Sequence, residues 1–156
     1  MVHVFDSSSF RVLDHYFPLR FPSFWKIFES SVQAGEIVSV REVYKELKGQ
    51  GIRPHLNSWI DAHKKIFFVP TPDETAFIGS IFAIPHFQQL VAERQRLKGI
   101  PVADPFVIAM AKVRNGCVVT EEAKKQHASR IPNICEHFGI TCCNLEAFME
   151  TKRWQF

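Results

Sequence analysis

The 156-residue chain has no run of about 18 consecutive apolar residues, which excludes a membrane-spanning helix. Its first residues, Met1 to Asp6, lack a basic region followed by an apolar core, so no secretory signal is expected. The expected location is cytoplasmic. Cysteine is scarce, with four residues: Cys117, Cys135, Cys142 and Cys143. None forms a Cys-x-x-Cys pair, and Cys142 and Cys143 would face opposite sides of a strand. Reduced, mostly buried thiols are expected, with a structural zinc site as the alternative. The seven histidines contain no His-Glu-x-x-His spacing. Internal repeats and low-complexity linkers are absent too, and the net charge of +3 permits an anionic partner without demanding one.

What is present is an ordinary globular composition, 46% hydrophobic and 22% charged, with an excess of phenylalanine at 15 residues. Phenylalanine fills a core without a polar group to satisfy, and a chain this long buries roughly 70% of its unfolded surface. The pattern predicts strands at Val2–Phe5, Glu36–Val40, Lys65–Val69, Cys117–Thr120 and Ile140–Cys142. Helices are expected at Pro22–Gln33, from Ser39 to about Leu47, and at Leu56–Ala62, Asp73–Ile84 and Phe87–Leu97. Further helices are expected at Phe106–Val113, Ile131–Phe138 and Asn144–Thr151. Alternation of this kind gives an α/β fold with a mostly parallel central sheet of four to five strands and helices on both faces. A single domain over residues 1–150 with a short tail, 151–156, is expected.

Parallel strands end along one edge, and ligands of open α/β sheets bind there. Asp6, Glu42, Glu46, Asp104, Glu121 and Glu122 all fall at that edge. Singly, each has a structural use: Asp6 and Asp104 as N-caps, Glu42 in a capping box with Ser39, Glu121 and Glu122 at a helix dipole. Jointly, carboxylates brought close share a proton or bind a cation. An all-oxygen set suits Mg²⁺ or Mn²⁺.

Phe5-Asp6-Ser7-Ser8 resembles the opening of the PIN-domain nucleases, an Asp ending the first strand with a polar residue two positions on. Glu46-Leu47 is similar to that family's second motif, Asp104-Pro105-Phe106-Val107-Ile108-Ala109 to its third, and Val119-Thr120-Glu121-Glu122 to its fourth. The tail from Ile131 to Phe148 resembles a bacterial subgroup of PIN-like proteins. The departures are Ser8, where many members have Asn, and Glu122, where the family has Asp.

The resemblance implies an α/β/α sandwich and a metal-dependent endoribonuclease, often the toxin of a toxin–antitoxin pair. One or two Mg²⁺ or Mn²⁺ ions would be held by Asp6, Glu46, Asp104 and Glu122, the last directly or through water. Ser8 and Thr120 would orient carboxylates or waters. Lys124, Lys125 and Arg130 are candidate RNA contacts, with Arg94, Arg96 and Lys98 a second basic group. Trp25 and Trp59 would stack bases or, as the plainer reading, fill core or partner interface. An antitoxin protein and a homodimer are the expected partners, with Pro22–Gln33 or Leu56–Ala62 at the dimer face.

Between Glu42 and Glu46, which share a helix face four residues apart, capping-box spacing ties Glu42 to Ser39 and leaves Glu46 for the site. Two other readings stay open. A non-catalytic PIN-like RNA-binding or assembly module would tolerate Glu122. A phosphatase using Asp6 as nucleophile would want a second Asp where Ser8 stands.

Overall fold

The structure, a computed structural model, describes residues 1–88 and 102–156. Strand β1 (His3–Phe5) leads into α1 (Ser7–Leu13) and α2 (Pro22–Gln33). Then come β2 (Ile37–Val40), α3 (Arg41–Gly49), α4 (Pro54–Ala62) and, after a 3-10 turn, β3 (Phe67–Phe68). Helix α5 (Pro72–Phe82) precedes α6 (Asp104–Val113), β4 (Cys117–Val119), α7 (Ile131–Phe138), β5 (Thr141–Cys143) and α8 (Leu145–Thr151). Most of the helix expected at Phe87–Leu97, with Arg94, Arg96 and Lys98, lies outside the described residues.

All five strands pair in parallel, in the order β3-β2-β1-β4-β5. The three central strands are buried along their whole length, as a parallel sheet covered on both faces requires. Phe5 meets Phe10 of α1, Phe28 of α2 and Phe148 of α8 at ring separations of 5.2–5.9 Å. Helix α6 packs against β1, β2 and β4 with Pro105, Val107, Ile108, Ala109, Met110 and Ala111 buried, the all-round apolar helix its sequence predicts. The phenylalanines are not all core, however: Phe17, Phe21, Phe68 and Phe156 are exposed. Among the described residues no helix is long and apolar enough to cross a membrane.

The expected capping box at Ser39 and Glu42 does not form. Ser39 lies in β2, where its Oγ donates to the Phe5 carbonyl at 2.6 Å. The helix starts later, with Val40 as an N-cap that makes no side-chain bond. Glu42 is therefore one position too early in its helix to close a box. Asp104 is likewise the first residue of α6 rather than its cap, which is Ala103.

Candidate active site

The strand order reverses between β1 and β4, because α1 and α2 carry the chain from β1 towards β2 while β4 lies on the other side. Such a switch point opens a crevice at the carboxyl ends of the strands. Asp6 follows β1 and Thr120 follows β4, one on each side of it. Thr120 Oγ1 donates to Asp6 Oδ2 at 2.6 Å, closing the gap. Ser8 Oγ sits 2.8 and 2.9 Å from the two Asp6 oxygens and accepts the Glu121 amide at 2.9 Å. The Ser9 amide completes the shell at 3.0 Å, making Asp6 the N-cap of α1.

Asp6 is buried, and burial pushes its carboxyl above the ordinary value. The bonds from Thr120, Ser9 and Ser8 pull it back down, while the negative charge of Glu122 adds to the rise. The site thus keeps an acid where ionisation is disfavoured.

Glu46 is also buried, and it joins the other two acidic segments. Its Oε2 accepts from Ser7 Oγ at 2.6 Å, beside Asp6, and its Oε1 from the Ala103 amide at 3.0 Å, beside Asp104. Both of these partners are distant in sequence, 39 and 57 residues away. Ser7 is a residue sequence reasoning missed, because its partner lies 39 residues away. Glu42 is equally buried, with Oε1 on the Arg41 guanidinium at 3.0 Å. Its Oε2 meets no hydrogen-bond donor among the described residues.

The two acids of the fourth motif brace the next helices. Glu122 Oε2 accepts the Ile131 amide that opens α7, at 2.9 Å, and Glu121 Oε1 the Leu145 amide that opens α8, at 2.7 Å. Negative charge at these helix starts is favourable. The Glu122 amide donates to Thr120 Oγ1 at 3.1 Å, so the motif folds around the same hydroxyl that holds Asp6.

The basic candidates occupy the segment between Glu122 and α7, and their contacts run along it. Lys124 pairs with Glu136. Asn133 holds the Lys125 carbonyl at 2.7 Å, and Arg130 donates to the Ala123 carbonyl at 3.3 Å. Trp25 and Trp59 pack together, half-buried, their rings 6.0 Å apart between α2 and α4. His63 stacks on Trp59 at 4.2 Å and bonds Glu29, a structural role.

Among the described residues no group of three or more His, Cys, Asp or Glu side chains is placed to hold a metal ion. For the acids, donor chemistry and electrostatics still fit a hard cation. Each offers only oxygen, and Asp6 carries an ionisation penalty that a bound cation would reverse.

No curated protein sequence matches the chain. Among solved structures it is similar to the crystal structure of VapBC2 from Rickettsia felis bound to a DNA fragment from their promoter. That likeness has 15% identity over 92% of this chain and 98% of that one, with a TM-score of 0.50. It is also similar to PAE2754 from Pyrobaculum aerophilum, at 14% identity over 89% and 97% of the two chains and a TM-score of 0.42. The first likeness is one of fold, and the PIN-like α/β architecture expected from the motifs is the one observed. A family model described as "Domain of unknown function (DUF4411)" matches residues 3–156, and the protein belongs to that family.

Proposed function

We propose that this protein is a metal-dependent endoribonuclease, the toxin of a toxin–antitoxin pair. The observation that carries the proposal is the placement of Asp6. It lies buried at the switch point, bonded across it by Thr120, with Glu46 tied to the neighbours of Asp6 and Asp104. Glu46 caps no helix, yet from a third element its carboxylate reaches the neighbours of both acids.

Asp6, Asp104, Glu46 and Glu122 would hold Mg²⁺ or Mn²⁺. Such an ion, when bound, lowers the pKa of water and offsets charge on the attacked phosphate. The chain's own groups do the rest. Ser8 and Thr120 fix the direction of the Asp6 oxygens. Glu46 keeps α1, α3 and α6 in register, and Lys124, Lys125 and Arg130 meet the RNA backbone. The similar VapBC2 structure is of a complex, which supports an antitoxin partner for this chain. For the homodimer we favour the face where α2 and α4 meet. Pro18, Trp25, Lys26, Glu29, His55 and Trp59 line a groove there, and Phe17, Leu19 and Phe21 stand exposed in the same stretch of chain.

One observation favours a second reading, a non-catalytic RNA-binding or assembly module. The carboxylates of Asp6, Glu46 and Glu122 already accept bonds from protein donors. Incubation with single-stranded RNA separates the two. Cleavage to 5′-phosphate and 3′-hydroxyl ends, abolished by EDTA, supports the nuclease. Binding without cleavage at any divalent-ion concentration supports the module.

A further inference from the structure

Strand β5 sorts the four cysteines into two pairs. Successive strand residues face opposite ways, and Cys142 and Cys143 do so. Cys143 Sγ lies 3.5 Å from Cys117 Sγ of β4, whereas Cys142 neighbours Cys135 of α7. In the β4–β5 register Cys117 stands opposite Thr141 and Val119 opposite Cys143. Cys117 and Cys143 are therefore diagonal neighbours on one face of the sheet. All four are free thiols.

We propose that Cys117 and Cys143 are an oxidisable dithiol, closed to an intramolecular disulfide by exchange with a low-molecular-weight disulfide such as glutathione disulfide. Access sets the order of events. Cys143 is half-buried and reachable, while Cys117 is 3% exposed and is not. Chemistry sets the same order. Either sulfur can donate in this contact, and with Cys117 as the donor the Cys143 thiol is held below its ordinary value, against the opposing effect of burial. The same bond, with burial, pushes Cys117 up. A thiol that ionises more readily and meets solvent is the one that attacks.

The exchange balances without a further oxidant. The Cys143 thiolate attacks one sulfur of glutathione disulfide and expels a glutathione thiolate, leaving a mixed disulfide on Cys143. The Cys117 sulfur then attacks Cys143 Sγ and expels the second glutathione thiolate. The two cysteine protons end on the two glutathiones. Two protein thiols are oxidised and one small disulfide is reduced. Closing the bond brings the sulfurs from 3.5 Å to about 2.05 Å, a movement of the two side chains and of the diagonal between the start of β4 and the end of β5.

Cys143, at the carboxyl end of β5, adjoins the acidic edge. The Thr120 amide donates to the Cys143 carbonyl at 2.9 Å, and the Thr120 hydroxyl holds Asp6. Drawing β5 towards β4 would shift the residue that positions Asp6. The disulfide itself does not depend on the nuclease reading.

The test is a disulfide map of the full chain after incubation with glutathione disulfide, alkylation and non-reducing digestion. We expect an intact mass lower by two hydrogens and a linked peptide joining Cys117 to Cys143, reversed by dithiothreitol. The link should persist in Cys142→Ser and vanish in Cys143→Ser. Four alkylated thiols, a lasting glutathione adduct on Cys143 without linkage, or a Cys135–Cys142 link alone would overturn the proposal. The wild-type map decides the matter even if Cys143→Ser does not fold.

Discussion

Three consecutive serines do three different jobs at the candidate site. Ser7 donates to Glu46, Ser8 bridges Asp6 to the Glu121 amide, and Ser9 gives its amide to Asp6 and its hydroxyl to the Val119 carbonyl at 2.8 Å. Around them Asp6 is the group whose titration should be visible in stability. Its folded pKa lies above the unfolded value of 3.8, so between the two the folded chain holds more protons than the unfolded one. Stability from this group therefore falls as pH rises through that window, because ionising the buried carboxyl is a cost. Asp6→Asn, which keeps a good N-cap, should melt at or above wild type at pH 7. The advantage should shrink as the buffer is acidified towards pH 3.8. A variant that melts well below wild type at neutral pH would mean that the charge is a net stabiliser. At this scale Asp6 was legible in the sequence as the acid that ends a strand, while Ser8 and Thr120 were read from the family resemblance. Ser7 was not, since its partner Glu46 is 39 residues away and only packing brings them together.

Helix α3 shows where an element's start decides what its residues do. Capping-box spacing at Ser39 and Glu42 was a sound local signal, but strand pairing took Ser39 and moved the helix start, so tertiary bonding overrode the local one. The choice of Glu46 for the site lost its first argument and gained another, its bonds to Ser7 and Ala103. In Glu46→Gln the amide oxygen can accept from Ala103 and the amide nitrogen donate to Ser7. Melting should barely change while cleavage falls by orders of magnitude. Glu46→Ala leaves the Ala103 amide buried without a partner, and denaturant unfolding should show a loss of about 1–3 kcal/mol. Glu42→Gln loses a charge paired with the exposed Arg41, and both stability and cleavage should stay near wild type. An inactive Glu42→Gln beside an active Glu46→Gln would place the site one helical turn earlier. The β1–β4 pairing that sets Asp6 beside Thr120 rests on Gly116. A Cβ there would lie 2.6 Å from the Val2 carbonyl oxygen and 2.7 Å from Val2 Cγ1. Backbone cannot yield as a side-chain tip can, so Gly116→Ala should cost about 1–3 kcal/mol in chemical denaturation.

Over the whole molecule, the five parallel strands in the order β3-β2-β1-β4-β5 turn separate acidic segments into one edge, with Asp6 and Thr120 on either side of the reversal. The parallel class was legible from the alternation of apolar runs with helical stretches. The strand order was not, because no local residue records which strand lies beside β1. The groove between α2 and α4 belongs to this scale too. Sedimentation at high micromolar concentration should show a dimer, and Trp25→Ala should weaken it; a clean monomer would contradict the homodimer. The central claim is that Asp6 and Asp104 serve cation-dependent cleavage of RNA. Its most direct test compares purified wild type, Asp6→Asn and Asp104→Asn on single-stranded RNA with Mg²⁺ or Mn²⁺, each repeated in EDTA. Wild type should cleave with metal and fail in EDTA, and both variants should be folded and inactive. Near-wild-type cleavage by either folded variant would contradict the account.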